Sequence, residues 1–366
     1  MMIQKFFISA GDLSGDIHAS NLVKEIKNLL PSFSSYIFAV GGKNLKMVAD
    51  FFVEDIVNIG AFGFLPIKQI FFLRKVFQKI TLLLKKNHPD KIILVDYYGF
   101  HVHIAKLAKK LKIPVYYYIS PQIWASRYKR IKEIAKTVKK IFVIFHFEEK
   151  LYTDNGVEAM FVGNPLIDII NVNKKIEKRK FDILNPPVIG LFPGSRQSII
   201  KKHIPIIVKT AKILRQKINA KFIIFFFKNN TEYKFPKYID LSTSQDYKKR
   251  ASIDFAICPS GTVNLENALI GIPMSVIYKL SYINFFIIKT FIKIKYISIV
   301  NILLDKAVIP ELIQFDATPK KIASSVLEQL NPKNYMLQMR MFIKIKKMLG
   351  TYGVSKRVAK IIIHDK

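Results

Sequence analysis

The chain is short of several residue types, and each shortage excludes a class of protein. Cys258 is its one cysteine among 366 residues. A single cysteine excludes a disulfide framework and any metal site built from several cysteines, and it is compatible with a reducing cytoplasm. No uncharged apolar run reaches the ~18 residues that would span a bilayer. We therefore expect a cytoplasmic protein that is soluble or peripheral on a membrane.

Acidic residues are also scarce. Lys and Arg number 59 against 26 Asp and Glu, which gives a formal charge of +33. Such a field attracts anions, and nucleic acid and anionic lipid are the two physical candidates. No arginine-rich arm, zinc finger or RNP-like aromatic motif accompanies the charge, so we expect no nucleic-acid partner. Compositional drift towards lysine is the alternative explanation, because lysines are enriched even on plainly solvated helix faces.

Apolar runs alternate with helical patterns along most of the chain. The runs at 92–96 (IILVD), 141–145 (IFVIF), 188–192 (VIGLF) and 254–258 (DFAIC) are typical examples. This rhythm is typical of parallel α/β units, and the length favours more than one core. We predict an α/β protein with two doubly wound, Rossmann-like domains that face each other across a cleft, where ligands bind at the carboxyl ends of the strands.

A polar segment that ends in Pro186 and Pro187 interrupts this rhythm and predicts a linker. We place the N-terminal domain at 1–165, the linker at 166–187 and the C-terminal domain at 188–335. Helices at 336–366 then follow, with the option of packing back on the N-terminal domain.

Two turns are suited to binding an anion. The run VIGLF leads into 193–196 (PGSR), which offers backbone N–H groups, a hydroxyl and a guanidinium together. The run DFAIC leads into 259–262 (PSGT), and Glu266 follows four residues after Thr262. Two strand–turn–helix units that aim donors at one point predict a site for a pyrophosphate and its sugar.

Two turns in the first half carry carboxylates. In the segment 10–16 (AGDLSGD), Asp12 and Asp16 either cap a helix or, because acids repel phosphate, line a site for sugar hydroxyls. Asp96 ends a buried strand, where a partly desolvated carboxylate is a candidate general base. A helix N-cap is the alternative role for Asp96. No Asp-x-Asp pair occurs, so a divalent cation held by paired carboxylates is not indicated.

Three other segments have two interpretations each. Aromatic residues at 113–130 could stack on a sugar or face an acyl chain, or they pack in the core. The turn at 163–165 (GNP) is a binding turn or a domain boundary. The segment 66–86 predicts an amphipathic helix that packs on its own domain or lies in a membrane interface, with basic residues towards anionic headgroups. The segment 282–300 adds a second apolar and basic surface.

Taken in order, the motifs resemble the lipid-A-disaccharide synthase family, bacterial glycosyltransferases of the GT-B architecture. The resemblance covers nearly the whole chain, and the ordered combination is more specific than any single motif. The matching segments are SAGDLSGD (9–16), GGKNLKM (41–47), VDYYGF (95–100), YISPQIWASR (118–127), FVGNPLID (161–168), LFPGSR (191–196), PSGTVNLENALIGIPM (259–274) and YISIVNILLDKAVIPELIQ (296–314).

The resemblance implies the activity and its partners. A 2,3-diacylglucosamine unit passes from UDP-2,3-diacylglucosamine to the 6-hydroxyl of 2,3-diacylglucosamine 1-phosphate, giving the β-1,6 lipid A disaccharide 1-phosphate and UDP. Inversion at the anomeric carbon fits one base and no covalent intermediate. The first domain would face the acceptor and the anionic cytoplasmic face of the inner membrane, and the second would bind the UDP-sugar. No cofactor or metal is expected, and the oligomeric state is left open.

The resemblance also implies roles for single residues. Asp96 matches the family's strand-end aspartate and is the candidate base, with Asp12 as the other candidate, while Arg196 would stabilise the departing charge together with the helix that begins near Thr262. Glu266 matches the acid expected on the ribose. The remaining expected substrate contacts are Ser14, Gly15, Ser120, Trp124, Asn164, Ser195, Ser260, Gly261, Asn301 and Gln314.

The chain departs from the family pattern at five positions. They are Asp12, where the family usually has Glu; Gly99, where it has a second acid; Ser126, where it has a second aromatic residue; Asn164, where it has His; and the neighbourhood of Ile199, where it has an acid. Without an acid at Gly99, Asp96 lacks its usual neighbour. Two other interpretations remain: another UDP-N-acetylglucosamine transferase or epimerase of this architecture, and a non-catalytic basic protein that binds membrane or RNA.

Overall fold

The computed structural model describes residues 3–57, 67–121, 129–171, 186–226, 233–280 and 295–365. The chain divides into two compact units. The first unit holds Met1–Asp168 and Leu349–Lys366, and the second holds Ile169–Met348. Each unit is built on one parallel sheet with interleaved helices, which confirms the predicted α/β class with two doubly wound sheets.

The first unit has a sheet of seven strands, all parallel where they pair. They are β1 (Gln4–Ala10), β2 (Ser35–Gly41), β3 (Phe51–Asp55), β4 (Lys91–Val95), β5 (Val115–Tyr118), β6 (Lys140–Val143) and β7 (Ala159–Phe161). Their order across the sheet is β3-β2-β1-β4-β5-β6-β7. The chain therefore reverses its direction of travel between β1 and β4, and this position is the switch point where doubly wound sheets bind ligands.

Helices cover both faces of the first sheet. They are α1 (Leu13–Leu29), α2 (Lys43–Val48), α3 (Ile67–Asn87), α4 (Tyr98–Lys110), α5 (Lys129–Thr137) and α6 (His146–Thr153), joined from the chain's end by α14 (Val354–His364). The short helix α7 (Leu166–Asn171) spans the division between the two units. Neighbouring strand residues point to opposite faces, so Phe7 belongs to one core cluster and Phe6 and Ile8 to another. Because both faces are buried, the strands are apolar runs and do not alternate with polar residues.

The second unit has a sheet of six strands, again parallel where they pair. They are β8 (Val188–Leu191), β9 (Lys221–Phe226), β10 (Ile239–Thr243), β11 (Phe255–Pro259), β12 (Met274–Tyr278) and β13 (Glu311–Ile313). The order is β10-β9-β8-β11-β12-β13, which puts the switch point between β8 and β11. One of the two predicted anion turns follows β8, and the other follows β11.

The helices of the second unit include the penultimate helix of the chain. They are α8 (Gln197–Ile218), α9 (Tyr247–Ala251), α10 (Thr262–Ile270), α11 (Ile299–Leu304), α12 (Pro319–Leu330) and α13 (Pro332–Met348). Helices α8 and α12 pack on one face of the sheet through residues such as Ile207 and Ile322. Buried Gln338 of α13 accepts a hydrogen bond from Met274 N and donates one to Met274 O, at the start of β12.

The C-terminal helices therefore do not form one group at 336–366. Helix α13 belongs to the second unit, and α14 packs against α1 in the first. Asp168 holds the returning helix, because its carboxylate accepts hydrogen bonds from the backbone N–H groups of Gly353, Val354 and Ser355 at the start of α14. A carboxylate at a helix N-terminus accepts hydrogen bonds from the free backbone N–H groups and interacts favourably with the helix dipole.

Part of the predicted linker is helical. Leu166–Asn171 forms α7, and residues 172–185 lie outside the described residues.

Helix α3 packs on its own domain over most of its length. Val76, Ile80, Leu83 and Leu84 are buried against the first sheet. Its first turns are different, because Ile67, Ile70 and Phe71 are exposed. Among the described helices, none combines the length and the apolar character needed to cross a bilayer. Most of the second apolar and basic segment, 282–300, lies outside the described residues.

Candidate functional site

The first unit gathers carboxylates at the carboxyl edge of its sheet. Asp12 follows β1, Asp96 follows β4, and Glu148 lies in the first turn of α6, after β6. Ser120 follows β5, the strand between β4 and β6. We call Asp12, Asp96 and Glu148 the acidic edge. The strands β1 and β4 flank the switch point, so Asp12 and Asp96 lie where this fold binds ligands.

Asp96 lies in an unusual backbone turn. Its φ is 50° and that of Tyr97 is 47°, so two successive residues that are not glycine occupy the left-handed region. Such residues cost energy and persist where the surrounding structure holds them, which is common at functional sites. Tyr97, and not Asp96, is the N-cap residue of α4. The alternative role of Asp96 as the helix N-cap is therefore wrong.

Two side chains hold this turn by the carbonyl oxygen of Asp96. The Tyr117 hydroxyl donates to it, and Nδ1 of His101 lies 2.8 Å from it. Burial lowers the pKa of His101 to about 4, so the ring is neutral at pH 7. Nδ1 must then carry the proton that the carbonyl accepts, which leaves Nε2 to accept from the Ser9 hydroxyl at 2.9 Å. The Asp96 turn is thereby tied to α4, β5 and β1.

The same surroundings raise the pKa of the Asp96 carboxyl to about 7. Burial is the largest cause, because it disfavours the charged form, and the neighbouring Asp12 charge is the second. A hydrogen bond from the backbone N–H of Tyr97 opposes both, and the charge of Glu148 adds a smaller increase. A carboxylate with a pKa near 7 has the basicity of an effective general base at neutral pH.

Asp12 is the N-cap residue of α1, which is one of its two predicted roles. Its Oδ1 accepts a hydrogen bond from Gly15 N at 2.6 Å. The backbone N–H of Gly15 is thus used inside the protein, and Ser14 lies half-buried in the same first turn. Gly11 is needed because a Cβ there would lie 2.0 Å from the ring of Tyr97. The first turn and the Asp96 turn are therefore packed directly together.

Asp16 does not cap α1. Its carboxylate accepts hydrogen bonds from Gly42 N, Asn44 N and Leu45 N at the start of α2.

The sequence pattern does not single out Glu148. It is 1 % exposed; its Oε1 accepts from the Ser120 hydroxyl at 2.7 Å and its Oε2 from Phe145 N at 3.2 Å. Buried Ser120 is therefore oriented by a carboxylate. The only available signal was an acidic residue shortly after an apolar run, which is also typical of an ordinary helix start.

The second unit presents hydrogen-bond donors at its own carboxyl edge. We call the two turns at 193–196 and 260–262 the donor edge. After β8, Gly194 has a φ of 111°, and exposed Ser195 and Arg196 lead into α8. Ile199 N and Ile200 N donate to Arg196 O, so the helix begins directly at the guanidinium-bearing residue. A helix N-terminus beside an arginine favours an anion.

The second turn of the donor edge follows β11. Gly261, at a φ of 149°, precedes Thr262, the first residue of α10. Ser260 donates its hydroxyl proton to Ile297 O at 2.6 Å, so the oxygen keeps only its acceptor capacity. Because β8 and β11 are neighbours, with Leu191 opposite Ile257, the two turns lie side by side at the switch point. The structure thus brings together Ser195, Arg196, Ser260, Gly261 and Thr262.

Buried His203 of α8 supports the first of these turns. Burial lowers the pKa of His203 to about 4, so its ring is neutral at pH 7. Nδ1 lies 3.1 Å from Pro193 O, and Nε2 accepts from Lys279 N at 3.2 Å. The histidine therefore connects the turn after β8 to the segment after β12.

Sequence comparison decides the family. The family model described as lipid-A-disaccharide synthetase matches residues 6–360. The chain belongs to this family. A lipid-A-disaccharide synthase of Geobacter metallireducens is 35% identical over 373 residues, which cover 98% of this chain and 97% of the relative. Lipid-A-disaccharide synthase 1 of Legionella pneumophila (strain Philadelphia 1) is 36% identical over 360 residues, covering 94% and 93%. The protein is a glycosyltransferase of lipid A biosynthesis.

Structural comparison agrees on the GT-B fold. The S. aureus MnaA-UDP co-structure has a TM-score of 0.68 at 12% identity and covers 98% of this chain and 96% of its own. Acinetobacter baumannii MurG has a TM-score of 0.59 at 12% identity, with 99% of each chain covered. UDP-GlcNAc 2-epimerase from Neisseria meningitidis, bound to UDP-GlcNAc, has a TM-score of 0.63 at 14% identity, covering 99% and 98%. At these identities the likeness shows the fold alone.

One residue that we expected to contact substrate in this family member has a structural role instead. Asn301 uses its full hydrogen-bonding capacity inside the protein: Nδ2 donates to Ile309 O and Glu311 Oε1, and Oδ1 accepts from Val308 N and Ile309 N. It is buried, and nothing is left for a ligand. The expectation of direct substrate contact by Asn301 is therefore wrong.

Gln314 and Asn164 are buried as well. Gln314 has a φ of 48°, and its Oε1 accepts from Leu280 N while Nε2 donates to Leu280 O. It ties the end of β13 to the segment after β12. The side-chain Oδ1 of Asn164 accepts a hydrogen bond from Leu166 N at the start of α7. The backbone N–H of Asn164 donates to Leu349 O. Both side chains stabilise turns, and Asn164 marks the boundary turn of the first unit.

The departures from the family pattern have different structural settings. Gly99 is exposed, and a Cβ there would have no heavy atom within 4 Å, so the position of the missing acid is open. Ile199 is buried, and its Cγ2 would lie 3.3 Å from a Cβ at Gly194, so an aliphatic side chain packs under the first donor turn. Trp124 and Ser126 lie outside the described residues.

Metal ligands are not assembled in the described ranges. No group of three or more His, Cys, Asp or Glu side chains is placed there to hold a metal ion.

The charge of Asp12 is expected to set part of the pH dependence of the reaction. In Asp12→Asn the helix cap is kept, because Asn caps as well as Asp, while one cause of the raised pKa of Asp96 is removed. The acidic limb of the pH profile of kcat/KM should therefore move to lower pH, by about one unit or less. Glu54→Gln, in a surface ion pair with Lys79, is the matched control and should leave the limb in place. An unmoved limb in Asp12→Asn, or complete loss of turnover, would contradict this role.

Proposed function

We propose that the protein transfers 2,3-diacylglucosamine from UDP-2,3-diacylglucosamine to the 6-hydroxyl of 2,3-diacylglucosamine 1-phosphate, with inversion at the anomeric carbon. The opposite chemistry of the two switch points is the observation that supports this assignment. The acidic edge repels a diphosphate and suits a sugar hydroxyl that must lose a proton. The donor edge suits the diphosphate of the UDP-sugar.

The proposed reaction is a single displacement. Asp96 takes the proton of the acceptor 6-hydroxyl as the oxygen bonds to C1 of the donor sugar. The bond from C1 to the diphosphate oxygen breaks at the same time, and its electron pair leaves with UDP. Arg196 and the N-terminus of α10 stabilise the charge that develops on that oxygen. No covalent intermediate forms, so the configuration at C1 is inverted.

Incubation with both acylated substrates tests the assignment. The expected products are UDP and a β-1,6-linked disaccharide 1-phosphate, identified by mass spectrometry and by the anomeric coupling constant in proton NMR. Turnover only with unacylated UDP-N-acetylglucosamine would support the alternative of another transferase or an epimerase. An α-linked product would overturn the inverting mechanism.

Asp96→Asn should separate catalysis from folding. Asn tolerates the left-handed backbone at this position, so the turn is kept. Loss of the base should lower kcat by roughly 10²–10⁴-fold. Because the folded-state pKa of Asp96 is raised, its ionisation on raising the pH through about 7 opposes folding. The variant should therefore be at least as stable as the wild type at pH 8 by thermal denaturation. Unchanged turnover would show that Asp96 is not the base.

Arg196→Ala should lower kcat/KM by roughly 10²–10³-fold, as loss of one preorganised donor to a developing negative charge does in other enzymes. Lys201→Ala, at an exposed position five residues further along the chain in α8, is the matched control and should stay close to the wild type. Equal rates for Arg196→Ala and the wild type would remove Arg196 from the site.

Chelation distinguishes this electrostatic stabilisation from a metal-dependent one. We propose that no metal takes part, so EDTA should leave the initial rate unchanged. A rate that collapses with EDTA and returns with Mg²⁺ would contradict the proposal.

We further propose that the start of α3 contacts an anionic membrane surface. Ile67 is 72% exposed and Phe71 57%, and Lys68 lies on the same two exposed turns. Because α3 follows the parallel strand β3, it begins on the side of the carboxyl edge, near which the acylated acceptor would bind. Apolar side chains between lysines are typical of interfacial helices.

Vesicle sedimentation tests this contact. The double variant Ile67→Ser and Phe71→Ser should bind vesicles containing anionic phospholipid several-fold more weakly than the wild type. Phe33→Ser removes another exposed aromatic of the same unit, 94% exposed in the turn before β2, and should bind as the wild type does. Equal loss in both variants would mean that the α3 surface has no special part.

A further inference from the structure

Arg250 is fully buried, although it ends the basic run 248–250. Lys248, two residues before it, is exposed, whereas the side chain of Arg250 has 0% exposure. A guanidinium does not lose its proton in proteins, so the positive charge stays in the interior and must be offset there. Its partners therefore indicate its role.

The guanidinium is anchored to the helix that begins at the donor edge. Nη1 donates to Oε2 of Glu266 at 2.5 Å, and Nη2 donates to Oδ1 of Asn267 at 2.7 Å. Both partners lie on α10. Nη1 also donates to Ser244 O at 3.1 Å, which fixes the guanidinium to the segment before α9.

Two aromatic rings lie against the same guanidinium, and one of them belongs to the residue before the first donor turn. Its central carbon lies 5.2 Å from the ring centroid of Phe192 and 5.1 Å from that of Tyr247. Phe192 directly precedes the 193–196 turn and stacks on Phe225 with centroids 4.8 Å apart. Arg250 thus connects the residue before the first turn with the helix that follows the second.

Glu266 keeps one carboxylate oxygen for another partner. Oε2 is paired with Arg250, and no described residue donates a hydrogen bond to Oε1. The side chain is 18% exposed, so solvent or a ligand can reach it. Glu266 lies four residues after Thr262 on α10, hence on the same face and one turn, about 5.4 Å, from the phosphate-binding end.

We propose that Arg250 is a positioning residue that holds Glu266 so that its second oxygen accepts a hydrogen bond from a ribose hydroxyl of the UDP donor. The site then distinguishes a ribonucleotide from its deoxy analogues through a residue that never touches the nucleotide. This inference rests on the proposed function, in which the donor edge binds UDP.

Stability alone does not account for the pair. Buried ion pairs can often be replaced by apolar residues without loss of stability. Here Nε of Arg250 has no hydrogen-bond partner in the described structure, so the guanidinium is not placed to satisfy all its own donors. Its fork geometry is used to fix two neighbouring side chains of α10, which a lysine could not do.

Calorimetric binding of UDP, 2′-deoxy-UDP and 3′-deoxy-UDP to the full chain tests the role of Arg250. The wild type should bind UDP about tenfold or more tightly than the analogue that lacks the contacted hydroxyl, as expected for a hydrogen bond to a charged group. Arg250→Met should weaken UDP binding about tenfold and leave that analogue within about twofold, so the preference disappears. Glu266→Gln should reduce the same preference, and the two changes together should not add.

Arg215→Met is the matched control. Arg215 is an exposed arginine of α8 whose guanidinium carbon lies 4.7 Å from the ring of Tyr238, and its loss should leave the preference intact. Retention of the wild-type preference in Arg250→Met would overturn the inference. Equal binding of all three nucleotides by the wild type would also overturn it, while the UDP site would stand.

Failure of the wild type to bind UDP at all would instead contradict the proposed function. If Arg250→Met does not fold, Arg250→Lys carries the test, because it keeps the charge but cannot hold Glu266 and Asn267 together. An unchanged ribose preference in Arg250→Lys would overturn the inference.

Discussion

The left-handed turn at Asp96 and Tyr97 is the constraint on which the site of the first unit depends. Each such residue costs roughly 1–2 kcal/mol relative to an ordinary backbone conformation, so the turn must be held in place. His101 and Tyr117 hold it through the Asp96 carbonyl, and the ring of Tyr97 fills the space beside Gly11. This bracing places a carboxylate next to Asp12 at the switch point, where burial and like charge raise its pKa. The strain of the backbone and the basicity of the side chain therefore have one structural origin.

The second unit has a similar fold, but its switch point has the opposite electrostatic character. Its switch point carries helix N-termini, an arginine and the exposed Ser195 hydroxyl, which together favour a diphosphate. The residues behind that surface are polar and buried: His203 connects Pro193 to Lys279, and Arg250 connects Phe192 to Glu266. In the proposed function, the same topology serves a sugar hydroxyl in one unit and a departing diphosphate in the other.

Much of this arrangement could be predicted from the sequence, because it depends on local signals. Apolar runs gave the strands, the turns after β8 and β11 gave the donor edge, and Asp12 was correctly offered as a helix cap. Burial and long-range pairing gave no such signal. Arg250 looks like part of a solvated basic run, and Glu148 like an ordinary helix start. Asn301 looks like a free polar group, although all its partners lie within the protein. The sequence also carries no local signal for where the chain returns to the first unit, because α14 is held by Asp168, 185 residues before Gly353.

The surroundings of Asp96 in the first unit should make its carboxyl group titrate near neutrality. The most direct measurement is the carboxyl carbon NMR titration of protein labelled with ¹³C at the aspartate side chains, with the Asp96 signal identified by its absence in Asp96→Asn. We predict a midpoint near pH 7, in agreement with the raised pKa of about 7. A midpoint in the ordinary range of an aspartate, near pH 4, would contradict the account.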